Sequence, residues 1–257
     1  MKHTSKILIV TLVVAFISCK KDTKTIEPEP TPAFGKLNIE FENVVGTASL
    51  QFGTNYVNQN GDTFKVSKFN YYISNIVITN NDNSTFIEPN SYHLVEHSNP
   101  ASSQIMLSNV PAGSYKTISF MLGVDSTHNV SGAQTGDLEP GKGMFWTWST
   151  GYIMFKLEGT SPKAPAINSY NIEYHVGGFK GAYNSLCNFT FNFASTTANV
   201  SASICPKIHL QTDVLEMFKN PSTVNITTDY SIVNVNSRSK MIANNYTDMI
   251  HFEHVHN

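Results

Sequence analysis

The sequence predicts an all-β protein: an immunoglobulin-like β-sandwich with loop insertions and one or two short helices. Three observations lead there. Apolar runs of strand length recur along the chain, each bounded by Gly, Pro or Asn. Aromatic residues make up 11% of the 257 residues and charged residues only 14%, which suits strands with one buried face. Helical periodicity is sparse.

The elements follow in order. Leu37-Asn38-Ile39-Glu40-Phe41 alternates apolar and polar residues, as a half-buried antiparallel strand does, so 36–41 opens the fold. Strand-like runs 64–79, 92–96 and 104–107 come next. Val110-Pro111-Ala112-Gly113 is a turn feeding a strand over 116–122. Residues 123–142 form the longest stretch without strand pattern before the tryptophans, and a loop of that length in a compact domain is often functional. Then come 145–157, 170–176 and two cysteine-bearing runs, 187–193 and 200–210, which a small polar loop joins as a hairpin. Residues 225–236 look like a further strand. Thr212 or Asp213 caps a short helix that stops at Pro221, and 237–250 reads as a second helix. There is no internal repeat and no Gly-rich phosphate loop.

The N-terminus reads as an export address. Lys2 and Lys6 precede an apolar run from Ile7 to Ile17, broken only by Thr11. A bilayer-spanning helix needs about 20 apolar residues, so this run is a secretion signal rather than an anchor. Phe16-Ile17-Ser18-Cys19 resembles a bacterial lipoprotein cleavage site, with Phe16 where Leu is usual. Residues 1–18 are therefore expected to be removed and Cys19 lipidated. Residues 19–33, rich in charge and proline, form a flexible tether. The globular domain spans 34–257. The expected location is the envelope of a Gram-negative bacterium, on the outer membrane, facing the periplasm or the outside. Loss of Lys2 and Lys6 leaves 15 Lys and Arg against 19 Asp and Glu, a mild charge near −4. That balance argues against nucleic acid as a partner. In an oxidising compartment Cys187 and Cys205 are expected to form a disulfide across their hairpin.

Candidate chemistry concentrates in two places. Gly143-Met144-Phe145-Trp146-Thr147-Trp148-Ser149-Thr150-Gly151-Tyr152 holds both tryptophans, two residues apart and so on one side of a strand. The tail, Ile250-His251-Phe252-Glu253-His254-Val255-His256-Asn257, puts His254 and His256 on one side of an extended segment, close enough to share a metal. Phe252 and Val255 break its polar run, as in a segment that docks. His128, at the start of the long loop, and His175, at a strand end before Gly177-Gly178, complete a candidate metal set of His128, His175, His254 and His256. Imidazole suits copper, zinc, iron and nickel. His93 and His97 flank a strand, and His209 is expected to line the cysteine hairpin. Enzymatic activity is not expected: there is no G-x-S-x-G, and nothing in the sequence brings Glu158 and Glu173 together as a glycosidase pair. The alternative to metal binding is a non-catalytic carbohydrate- or ligand-binding surface module, in which Trp146 and Trp148 line an open groove. A purely structural envelope protein would bury both and leave the tail loose.

Several segments in one consistent order resemble the MbnP-type copper-binding family. They are Tyr72-Ile73-Ser74-Asn75, Val110-Pro111-Ala112-Gly113-Ser114-Tyr115, Phe120-Met121-Leu122-Gly123-Val124-Asp125 and Leu138-Glu139-Pro140. After them come the Gly143–Tyr152 run, Lys156-Leu157-Glu158-Gly159 and Tyr174-His175-Val176-Gly177-Gly178. The G-M-F-W-T-W-x-x-G-Y run is specific; the V-P-A-G turn is not. The resemblance implies an envelope β-sandwich linked to copper. It implies a di-haem, MauG-like oxidase as partner, which converts a tryptophan to kynurenine, and a copper-chelating peptide natural product as a further partner. Trp146 and Trp148 match the family's W-x-W, with Trp148 the favoured site of oxidation. Indole is only a donor, whereas the aromatic amine and ketone of an opened ring can coordinate a metal.

Overall fold

The computed structural model describes residues 33–257 apart from Ala133, Trp148 and Ser149. The chain divides into Met1–Thr31 and Pro32–Asn257. The expected signal sequence, the lipidation site Cys19 and nearly all of the tether lie outside the described residues, as does Trp148. Among the described residues no helix is long and apolar enough to cross a membrane.

Two sheets form the domain, as the strand pattern predicts. In the smaller sheet Phe34–Val45 pairs antiparallel with Gln104–Pro111 and parallel with Lys207–Asp213. The tail strand Ile250–His256 closes the edge, antiparallel to Lys207–Asp213. The larger sheet is organised by one long strand, Thr63–Asn80. One of its edges carries Tyr92–Glu96 and then Thr85–Ile87. The other edge is shared by two strands lying end to end. Gly113–Leu122 pairs as far as Leu122 opposite Ile73, and Gly151–Thr160 takes over with Phe155 opposite Tyr71. At the junction Gly123 N–H donates to the Tyr72 carbonyl at 2.9 Å, so the backbone groups of the long strand stay paired across the seam. Residues 123–150 leave the sheet at this seam and return to it. Cys187–Asn192 and Ala198–Val200 extend the sheet beside Gly113–Leu122, and Asn171–Gly177 extends it beside Gly151–Thr160.

Alternation along the long strand decides what each face does. Tyr71 faces the smaller sheet, its ring 6.3 Å from that of Phe41, which in turn packs edge-on to Phe120 at 5.5 Å. The Tyr71 hydroxyl donates to Asn43 Oδ1 at 2.9 Å and lies 3.0 Å from Thr212 Oγ1. This buried polar link ties the two sheets through three strands. Tyr72 points to the opposite face, yet is also fully buried, because residues 123–150 fold back over it. Its hydroxyl donates to the Asp137 carbonyl at 3.0 Å, and that of Tyr152 donates to the Leu138 carbonyl at 2.6 Å.

Four local expectations change. The run 145–157 is two strands, Phe145–Thr147 and Gly151–Thr160, paired with each other. Gly151 has φ +75°, and a Cβ there would sit 2.1 Å from Asn129 Oδ1, so glycine is required where the chain re-enters the sheet. Residues 225–236 hold a helical turn, Ile226–Asp229, capped by Asn225, and only the short strand Ser231–Ile232. The second helix ends at Asn245, under an Asn236 capping box, and the chain then returns to strand at Ile250. The short helix is 3₁₀, Val214–Phe218, with Asp213 as its cap.

The expected disulfide is corrected as well. Cys187 is a buried free thiol and Cys205 an exposed one. Their runs do not form a hairpin with each other. Cys187 pairs with Leu122 and Val200 with Gly113, at opposite ends of one strand, a separation of roughly 30 Å at about 3.3 Å per residue. Beyond Cys205 the chain crosses to the smaller sheet. A disulfide needs Cα atoms within about 7 Å. Burial pushes the Cys187 thiol up to about 11, while Cys205 Sγ lies 3.9 Å from Met106 Sδ at the surface. Alkylation of the native, unreduced protein should label Cys205 and spare Cys187, with both reactive after denaturation. Peptide mapping that found both blocked until reduction would contradict this arrangement. Tyr71→Phe should lower stability by about 1–3 kcal/mol in urea unfolding, because it strands Asn43 and Thr212 in the core.

Candidate functional site

The outer face of the larger sheet, around and beneath residues 123–150, carries His128, His175 and Trp146 among the residues that the sequence singles out, with Glu158 and Glu173 beside them. Strand registers set His175, Lys156, Asn70 and Glu96 in one row across four strands, and Glu173, Glu158 and Lys68 in the next. Glu158 and Glu173, which nothing in the sequence brings together, are thus cross-strand neighbours. Glu158 is already engaged. His175 Nε2 lies 2.8 Å from its Oε1, with Lys68 at 3.6 Å and Lys156 at 4.0 Å. Burial raises the Glu158 carboxyl, but His175 and the two lysines more than offset this and hold it below the ordinary range. A carboxylate only accepts, so Glu158 draws the imidazole proton to Nε2 and leaves the lone pair on Nδ1. Burial, reinforced by the Lys156 charge, depresses His175 below its usual value and keeps it neutral near pH 7. A neutral imidazole oriented by a carboxylate is the form that binds metals.

Trp146 stands beside this row. It is half-buried and packs against the core rather than lining an open groove. Its ring occupies the space over Gly177, two residues beyond His175 on the same strand face. A Cβ at Gly177 would lie 2.5 Å from Trp146 Cζ3 and 2.7 Å from the Tyr152 carbonyl oxygen. The absent side chain at 177 therefore makes room for the indole. Lys156, almost fully buried, donates its ammonium to the Gly143 carbonyl and pins the start of the Trp-bearing segment.

His128 sits at the other end of the loop. The helical turn Ser126–Val130 starts at Asp125, whose Oδ1 accepts from the His128 backbone N–H at 3.0 Å and lies 3.3 Å from its Nδ1. The same carboxylate accepts from the Tyr92 hydroxyl and from Asn75. Burial pushes Asp125 up, but the bonds from Tyr92, His128 and Asn75 win and hold it low. The His128 ring lies 4.1 Å from the Tyr92 ring, beside a groove of about 280 Å³ that Gln134, Thr135 and Asp137 help to line. Asn129 locks the loop base: it donates to the Val124 and Asp125 carbonyls and accepts from Tyr152 N–H at 2.9 Å.

The four candidate ligands do not meet at one point. Tyr92, on which His128 rests, is three strands and four residues from His175, roughly 20 Å at ordinary sheet spacings. His254 and His256 belong to the other sheet. The tail docks there as a strand, with Phe252 stacked on Phe193 at 5.1 Å. The two Nε2 atoms are 2.6 Å apart on the exposed face, and the His209 and His254 rings are 4.8 Å apart. Slight burial and the neighbouring imidazoles depress His254. His209, expected in a hairpin, is thus a third member of this cluster. Its side chain signals nothing by itself; only the pairing of two distant strands brings it there. Among the described residues no three His, Cys, Asp or Glu side chains already surround a common point as metal ligands.

Gly177→Ala should destabilise the fold by about 1–3 kcal/mol through overpacking and shift tryptophan fluorescence, read by urea unfolding and emission spectra. Unchanged emission would mean that Trp146 does not rest there.

Comparison with curated proteins finds no match. Among solved structures, MbnP from Methylosinus trichosporium is similar, with a TM-score of 0.51 and 15% identity over 75% of this chain and 79% of that one. At that identity the likeness shows a shared fold. The MbnP family profile matches residues 34–238, most of the chain and nearly all of the sandwich, including the seam, the loop over it, Trp146 and His175. The chain belongs to the MbnP family.

Proposed function

We propose that this protein is a non-catalytic, lipid-anchored envelope protein that binds copper on the outer face of its larger sheet. Membership of the family supports a copper-related role. The observation that carries the reading to particular residues is the pairing of His175 with Glu158 beside Trp146. It supplies a neutral imidazole whose Nδ1 lone pair is uncommitted to Glu158, in a half-buried setting next to an oxidisable indole. The donor set fits a soft or borderline ion such as copper better than Mg²⁺ or Ca²⁺. The tryptophan segment supplies the rest once an indole of Trp146 or Trp148 has been opened to kynurenine by a di-haem, MauG-like partner, which would add an aromatic amine and a ketone as donors. His128 belongs to this face as a separate, Asp125-oriented imidazole at the mouth of the loop. Anchoring through Cys19 and the tether would hold the domain off the outer membrane.

The half-buried packing of Trp146 weighs against the sugar-binding alternative, which needs an exposed aromatic platform. The test is metal analysis with intact mass on protein purified from its native envelope with copper supplied. The expected result is bound copper, of which His175→Ala removes the equivalent held at this face, with a mass change on Trp146 or Trp148 of one carbon lost and one oxygen gained. Copper without that change would leave a histidine-only site. Copper retained in full by His175→Ala would overturn the assignment of this face.

A further inference from the structure

We infer that His254, His256 and His209 form a second, independent transition-metal site on the exposed face of the smaller sheet, taking a borderline divalent ion such as Zn(II) or Cu(II). The tail strand, which carries two of the three ligands, lies beyond residue 238, where the family match ends, while His209 lies within the matched region.

Strand geometry assembles it. His254 and His256 alternate on one strand and so share a face. His209 lies directly opposite His254 on the neighbouring antiparallel strand. An irregularity in that pairing, between His209 and Leu210 opposite His254 and Phe252, places Glu253 as an extra residue. It turns His254 and His256 outward while Phe252 and Val255 still pack against the core. The three rings touch in sequence, with centroids 4.8 Å and 4.3 Å apart.

The chemistry matches three imidazoles around one ion. His254 and His256 aim their Nε2 atoms at each other, 2.6 Å apart. Two nitrogens each about 2.0 Å from a tetrahedral zinc lie about 3.3 Å apart, so a small ring rotation admits the ion between them. His209 Nε2 is 3.2 Å from Glu42 Oε2, which draws its proton to Nε2 and leaves Nδ1 as the lone-pair nitrogen, the carboxylate–histidine arrangement that orients metal ligands. Glu40, in the same row as His209 and His254, adds negative charge nearby, though Lys207 holds one of its oxygens at 3.0 Å. Three histidines with an open fourth position form a recognised ligand set for zinc.

The experiment titrates the mature protein with Zn(II) against a competing chelator, for the unmodified chain and for His254→Ala, His256→Ala, His209→Ala and His175→Ala. The expected result is one ion bound at this site. Its affinity should drop at least about 100-fold on loss of either tail histidine and at least about 10-fold on loss of His209, and stay unchanged in His175→Ala. Imidazole NMR signals of the unmodified protein should shift on Zn(II) addition for 209, 254 and 256 together, a readout that needs no variant to fold. If His209→Ala binds as tightly as the unmodified chain and the 209 signal stays in place, the tail binds as a loose two-histidine chelate and the proposal is overturned. Loss of binding in His175→Ala alone would overturn it too. Failure of copper at the Trp146 face leaves these outcomes untouched, so the two readings stand or fall separately.

Discussion

The long strand Thr63–Asn80 has two edges, and every backbone donor and acceptor along them must be paired. Much of the architecture follows from how one edge is filled. Two strands meet end to end at Tyr71–Ile73, with Gly123 bridging the junction. A chain that leaves one strand there and starts the next at nearly the same place is free to make a long excursion without disturbing the sheet. Residues 123–150 are that excursion. Their path back over Tyr72 and Tyr152 buries two tyrosines on what would otherwise be the solvent face, and each hydroxyl finds a carbonyl in the loop.

That covering layer gives the outer face its chemistry. His175 and His128 are each held by a carboxylate, and each carboxylate is kept ionised by further donors or cations. Such pairs fix which ring nitrogen keeps its lone pair. Trp146 is positioned by an absence, the missing side chain at Gly177, and by the buried ammonium of Lys156 gripping Gly143. The face is therefore preorganised even though its histidines stand apart. A preorganised ligand and a nearby indole are what a site completed by later oxidation of a tryptophan would require.

The smaller sheet solves a different problem. Its edge strand is the C-terminal tail, held by backbone pairing and by Phe252 against Phe193. The exposed side of this edge carries imidazoles instead of an apolar stripe, which also discourages pairing with a further strand. The two histidine-bearing faces lie on different sheets of the sandwich and share no residue.

Much of the fold was legible in the sequence, because a half-buried strand has a period of two and its ends are marked by Gly, Pro and Asn. The strand over 92–96 and the docking of Phe252 and Val255 came from that pattern alone, and the W-x-W and Y-H-V-G segments pointed to the family. Partners were not legible. Cys187 and Cys205 sit in runs that look like a hairpin, yet Cys187–Asn192 and Ala198–Val200 both pair with Gly113–Leu122, and Cys205 follows them in the connection to the smaller sheet, far from Cys187. His209 looked incidental until the parallel and antiparallel pairing of three distant strands set it beside His254. Residue type and motif group His128, His175, His254 and His256 together, whereas a sheet groups residues by register. Local pattern is set by steric period and burial, and the sequence carries it; register between remote strands is set by hydrogen-bond closure and core packing, which exist only once the whole chain has folded.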